Sequence, residues 1–85
     1  MKTFDIGDLV ICVRNETVKG QLRNNYIYRV ARTNTNEEGL PYVGVEGVNL
    51  DIGTPKLFNH IRFINLKWIL TDKEYEALER WYNKT

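Results

Sequence analysis

Cysteine, histidine and methionine each occur once in these 85 residues, and proline only twice. A single cysteine forms no internal disulfide, which fits a reducing compartment. One Cys and one His, Cys12 and His60, do not complete a zinc site without carboxylates, and neither a Cys-x-x-Cys nor a His-x-x-x-His spacing exists. The six glycines never form a phosphate-binding loop. Glu37-Glu38 has no calcium-loop pattern around it. No apolar run approaches the roughly 18–20 residues needed to cross a bilayer, and the first residues lack the apolar core of a signal peptide. Charge of one sign is missing too: 12 basic and 11 acidic residues leave a formal net charge of +1. These absences predict a cytoplasmic, soluble domain with no metal, no cofactor, no membrane association and no enzymatic activity.

Eighty-five residues support one hydrophobic core, and most large apolar side chains are needed in it. The chain opens with Phe4-Asp5-Ile6-Gly7-Asp8, then runs straight into Leu9-Val10-Ile11-Cys12-Val13. Gly7 takes backbone angles closed to residues with a Cβ, and Asp8 bonds nearby backbone donors. A first strand is expected over Asp8–Arg14, with Leu9, Ile11 and Val13 on one face and Val10 and Cys12 on the other. Both faces are apolar, so both are expected to be covered over part of the length. Residues Asn15–Asn25 read as a long polar loop with Leu22 as its apolar anchor, ending in a tight turn at Asn24-Asn25.

A second strand is expected over Tyr26–Arg32, an exposed loop over Thr33–Gly39, and a third strand over Tyr42–Gly47 with Val43 and Val45 inward. Asn49–Pro55 reads as another loop and Lys56–Phe58 as a short strand. A helical turn near Asn59–Arg62 then leads back to the sheet at Phe63–Leu66. Thr71-Asp72-Lys73-Glu74 carries a capping box, and Tyr75, Leu78 and Tyr82 follow at helical spacing, giving an amphipathic helix of about three turns. So short a helix must dock on something. Trp68 and Trp81 are expected to glue it to the sheet. Residues 1–66 and 67–85 are therefore read as a barrel and a helical extension of the same domain.

The set Gly7-Asp8-x-Val10-x-Cys12-Val13, Leu22-x5-Tyr28-x-Val30, Val43-x-Val45-Glu46-Gly47 and Phe58-x3-Arg62-Phe63 resembles the small SH3-like barrel proteins common in bacteriophage genomes. The resemblance covers about Phe4 to Ile64. It implies a mainly β fold: about five antiparallel strands closed into a small barrel, with the helix after Thr71 as an addition packed on it. Asn25 stands where that pattern usually has Gly, and Tyr26 where it usually has Lys.

Cys12, inside an apolar strand, reads as a small core hydrophobe rather than a nucleophile. Charge is unevenly placed: residues 33–55 carry four acidic and no basic side chains, whereas 56–71 carry three basic and no acidic ones. Arg14, Arg29, Arg32, Lys56, Arg62 and Lys67 are expected near one surface if the last strand closes beside the first. Ten aromatics exceed the obvious needs of so small a core. The candidate binding residues are Tyr26, Arg29, Tyr42, Phe58, His60, Arg62, Arg80 and Tyr82. Their chemistry suits a protein partner engaged by aromatic and arginine side chains, as in a phage-type protein acting by steric or competitive occupancy. The alternative is sequence-nonspecific nucleic-acid binding by the basic blocks. A monomer or weak dimer is expected.

Overall fold

A computed structural model describes residues 3–18, 20–35, 37–50 and 53–84. Lys19, Asn36, Asp51 and Ile52, which belong to the loops read from the sequence, lie outside the described residues, as do Met1, Lys2 and Thr85. The elements are β1 (Leu9–Cys12), β2 (Ile27–Thr35), β3 (Pro41–Asn49), β4 (Pro55–Asn59), a 3-10 turn (His60–Arg62), β5 (Phe63–Asn65), a second 3-10 turn (Leu66–Trp68) and α1 (Asp72–Lys84). The fold is mainly β.

All the strand pairings are antiparallel and give one sheet in the order β4-β3-β2-β1-β5. The last strand does lie beside the first, with Ile11 opposite Ile64 and Cys12 opposite Phe63. The sheet is not closed: no ladder joins β4 to β5 among the described residues, and these two strands are its edges. The chain passes from β4 to β5 through the 3-10 turn, where the Asn59 side chain accepts the Ile61 N–H at 3.1 Å.

Strand β2 runs three residues beyond Arg32, because Thr33, Asn34 and Thr35 pair with Val43, Tyr42 and Pro41. Polar composition made this segment look like a loop: Arg32–Thr35 are exposed on both faces, and the ladder to β3 keeps them extended. The register shifts between Val30 and Arg32, so Ala31 sits in a bulge that breaks the alternation read from the sequence.

Strand β1 is covered on both faces, as its double apolar alternation requires. Val10 and Cys12 join Phe4, Leu22, Val30, Val43, Val45, Phe58 and Phe63 in the main core. Leu9 faces the other way, into a second cluster with Leu66 and Tyr75, against which Ile11, Ile27, Leu70, Leu78 and Tyr82 pack. Helix α1 supplies the aromatic half of that cluster. Its start is capped reciprocally: Thr71 N–H donates to Glu74 Oε1 at 2.9 Å, and Glu74 N–H to Thr71 Oγ1 at 3.2 Å.

A polar knot fixes the entrance to β1. Gly7 adopts φ 97°, and the buried Asp8 carboxylate accepts from Asp5 N–H (3.0 Å), Asn65 Nδ2 (2.8 Å) and Lys67 Nζ (2.7 Å). Burial pushes the Asp8 carboxyl up, but the bonds from Lys67, the Asp5 backbone and Asn65 outweigh it, and its pKa lies below the ordinary carboxylate value. The same pair raises Lys67.

Candidate functional site

The turn ahead of β2 sets the first wall of the site. Asn25 takes φ 66°, and its N–H donates to Cys12 O at 2.7 Å, which turns Tyr26 outward at the end of the β1–β2 ladder. The Arg23 guanidinium lies 5.3 Å from the Tyr26 ring centroid, and its Nη1 donates to the Tyr26 hydroxyl at 3.2 Å. Tyr26 remains 52% exposed.

Helix α1 supplies the opposite wall. Tyr75, Leu78 and Tyr82 pack toward Leu9, Ile11 and Ile27, which brings the last turn of the helix beside Tyr26. Arg29 braces this end. Its guanidinium lies 5.2 Å from the Tyr82 ring centroid, donates to Asn83 Oδ1 and to Gly7 O (3.4 Å), and pairs with Glu46 at 3.9 Å. Asn25, Tyr26, Ile27, Trp81 and Tyr82 thereby line a groove of about 330 Å³. Trp81 is 55% exposed, so it does not glue the helix to the sheet as expected. Tyr82 points inward at that end, whereas Trp81, one residue earlier, projects off the packed face. Trp68 packs on the main core rather than in the helix cluster: half-buried, it meets Phe4 edge-on with centroids 5.0 Å apart.

Of the eight residues singled out from the sequence, Tyr26 and Tyr82 line this groove and Arg29 holds its floor in place. Arg80 is exposed on the helix next to Trp81. The other four do not join them. Phe58 is a correction: it is 4% exposed and packs edge-on against Phe63, so its ring belongs to the core and offers a partner nothing. Tyr42 is half-buried on β3 opposite Asn59, and His60 is half-buried at the start of the 3-10 turn. Arg62 binds Thr17 Oγ1 at 2.7 Å and Arg14 O at 3.4 Å, and lies 3.9 Å from Glu16, tying the long loop after β1 to the sheet.

The single basic surface expected from the sequence is largely spent on internal partners. Arg14 pairs with Glu16 at 3.3 Å, Lys67 with Asp8, and Lys56 Nζ donates to Gln21 Oε1 at 2.7 Å, while Arg29 and Arg62 are engaged as above. The Cys12 thiol is buried within 3.7 Å of Arg14 O and Asn24 Oδ1, and burial pushes its pKa up, keeping it protonated. Among the described residues no group of three or more His, Cys, Asp and Glu side chains is placed to hold a metal ion. No described helix is long and apolar enough to cross a membrane.

Sequence reasoning missed Trp81 and Arg23 as site residues. The signal for Trp81 was available: at 100° per residue it falls well off the Tyr75–Leu78–Tyr82 stripe. Arg23 carried no local signal, because its stacking on Tyr26 depends on the turn between them. No family model, no curated protein and no solved structure matches this chain.

Proposed function

We propose that this chain is a non-catalytic binding module that engages a protein partner through the Tyr26–Trp81 groove. It would act as a small phage-type protein does, by steric or competitive occupancy of its partner. One observation carries the reading: two large aromatics, each more than half exposed, face a common groove whose floor is braced by Arg29. Tryptophan, tyrosine and arginine dominate binding energy at protein interfaces. The buried, protonated Cys12 supports the non-catalytic part of the reading. Nucleic-acid binding is disfavoured by the internal pairing of Arg14, Arg29, Lys56, Arg62 and Lys67.

A photo-crosslinking amino acid at position 26 tests it in bacterial lysate. One stoichiometric protein adduct is expected, competed away by added wild-type chain but not by the Trp81→Ala variant. Equal competition by both, or an equal adduct from a crosslinker at Arg32, would remove the reading. Tight, salt-sensitive binding of oligonucleotides in an anisotropy titration would transfer it to nucleic acid.

A further inference from the structure

We infer that helix α1 is a strap that lifts from the sheet as one unit while the main core stays closed. The two apolar clusters take opposite faces of β1 and share no residue: Val10 and Cys12 serve the main core, Leu9 and Ile11 the cluster under the helix. No described residue of α1 belongs to the main core. Lifting the helix therefore breaks the second cluster without opening the first. Burial along α1 is slight for its 13 residues: Tyr75 is its one buried residue, and Leu78 and Tyr82 are half-buried. The link back to the sheet is short and wet, since Ile69 and Thr71 on either side of Leu70 are exposed.

Two polar ties hold the strap down. The Tyr75 hydroxyl accepts Leu9 N–H at 2.7 Å near its start, and Arg29 meets the Tyr82 ring and Asn83 at its end. Neither bars lifting. Water takes the place of the hydroxyl at Leu9 N–H, so no donor is orphaned, and Arg29 keeps Gly7 O and Glu46. Off the sheet so short a helix is marginal, so its amides lose protection together. The lift also takes the groove apart, because Asn25, Tyr26 and Ile27 stay with the sheet while Trp81 and Tyr82 leave with the helix. Docking of α1 thus assembles the groove, whatever fills it.

Native-state hydrogen exchange of the full chain, followed residue by residue through a series of low urea concentrations, tests this. The Leu9 amide reads docking itself, since its acceptor is on the helix. The Val30 amide, which donates to Asp8 O at 2.8 Å, reads the main core. Protection at Leu9 and at Leu78–Tyr82 is expected to be at least ~10-fold lower than at Val30, with one shared, shallow dependence on urea, because lifting exposes less surface than global unfolding. Ala77→Gly, at an exposed helix position that touches nothing on β1, should lower protection at Leu9 and along the helix alike by about fivefold. Leu9 and helix amides that share the protection and the steep urea dependence of Val30 would make the chain one cooperative unit and overturn the inference. So would helix amides that exchange while Leu9 stays as protected as Val30, which is fraying. So would a Leu9 amide that exchanges alone or ignores Ala77→Gly, which is local loss of one bond.

Discussion

The Tyr75 hydroxyl accepts the backbone N–H of Leu9 at 2.7 Å, deep between helix and sheet. Strand β5 pairs with β1 only as far as Asn65 opposite Val10, and then turns away into the 3-10 segment Leu66–Trp68. A side chain of α1 thus meets the donor that the short edge strand leaves unpaired, making the helix a structural part of the sheet. Tyr75→Phe keeps the ring and removes the acceptor. It should cost about 1–3 kcal/mol, the price of a buried orphan donor. Urea unfolding measures the loss, and the Leu9 amide should exchange faster with deuterium than its neighbours on β1.

Acid should weaken the knot at Asp8. Its folded pKa lies below the ordinary 3.8, so the unfolded chain takes up the proton more readily. Stability from this group is therefore full above the unfolded value and is lost as pH falls through the lower folded value. Glu16 is lowered by its own backbone N–H and by Arg14, and Glu74 by the Thr71 backbone and hydroxyl, so both add to the same acid limb. In Asp8→Asn, denaturant midpoints measured across this range should show a shallower acid limb but not a flat one. An unchanged limb would mean that the carboxylate does not hold the knot.

Gly44 is a packing position that alternation alone does not reveal. It is buried between Val43 and Val45, and a Cβ there would stand 3.1 Å from both Lys56 O and Pro55 Cβ. The first of these is backbone, so relief requires β3 and β4 to separate. Gly44→Ala should destabilise the fold by about 1–3 kcal/mol, as overpacking does. Thermal unfolding of the variant measures it, and Gly39→Ser, at a loop position open around its Cβ, is the poorer comparison because of its φ of 84°.

Much of this architecture was legible in the chain. Period-two apolarity on both faces of Leu9–Val13 called for two covering layers, and Leu22, Val43, Val45 and the Thr71–Glu74 cap lie where local pattern puts them. What the pattern could not carry was nonlocal. The bulge at Ala31 and the pairing of Thr33–Thr35 depend on β3, and the open sheet depends on how the 3-10 turn spends the chain between β4 and β5. The site was half legible. Tyr26, Arg29, Arg80 and Tyr82 stood out as types, but Phe58 looked equally available until the core claimed it. Likewise the basic residues looked like one surface until Arg14, Arg29, Lys56, Arg62 and Lys67 were seen with their own partners.

Arg29 should govern the order of the helix end more than the stability of the sheet. Its contacts with Tyr82, Asn83, Gly7 and Glu46 converge on one guanidinium, which a lysine ammonium does not reproduce. Arg29→Lys is expected to cost about 1 kcal/mol, in the range of a partly desolvated cation–π contact. Hydrogen exchange should show the amides of Leu78–Asn83 losing protection, while those of Val43–Val45 keep theirs. Uniform loss across both segments would place Arg29 in the global fold instead.

The two tryptophans should separate stability from binding. Trp68 packs on Phe4 at the rim of the main core, whereas Trp81 is more than half exposed above the groove. Trp68→Ala removes a large ring from a packed site and should cost about 3 kcal/mol or somewhat less, given its partial exposure. Trp81→Ala should change unfolding free energy by no more than ~0.5 kcal/mol, as surface substitutions do. Iodide should quench the fluorescence of the Trp68→Ala variant, which reports Trp81 alone, more strongly than that of Trp81→Ala. A destabilised, poorly quenched Trp81 would mean that the ring holds the helix down, and the groove would then lose the exposed wall that the helix supplies.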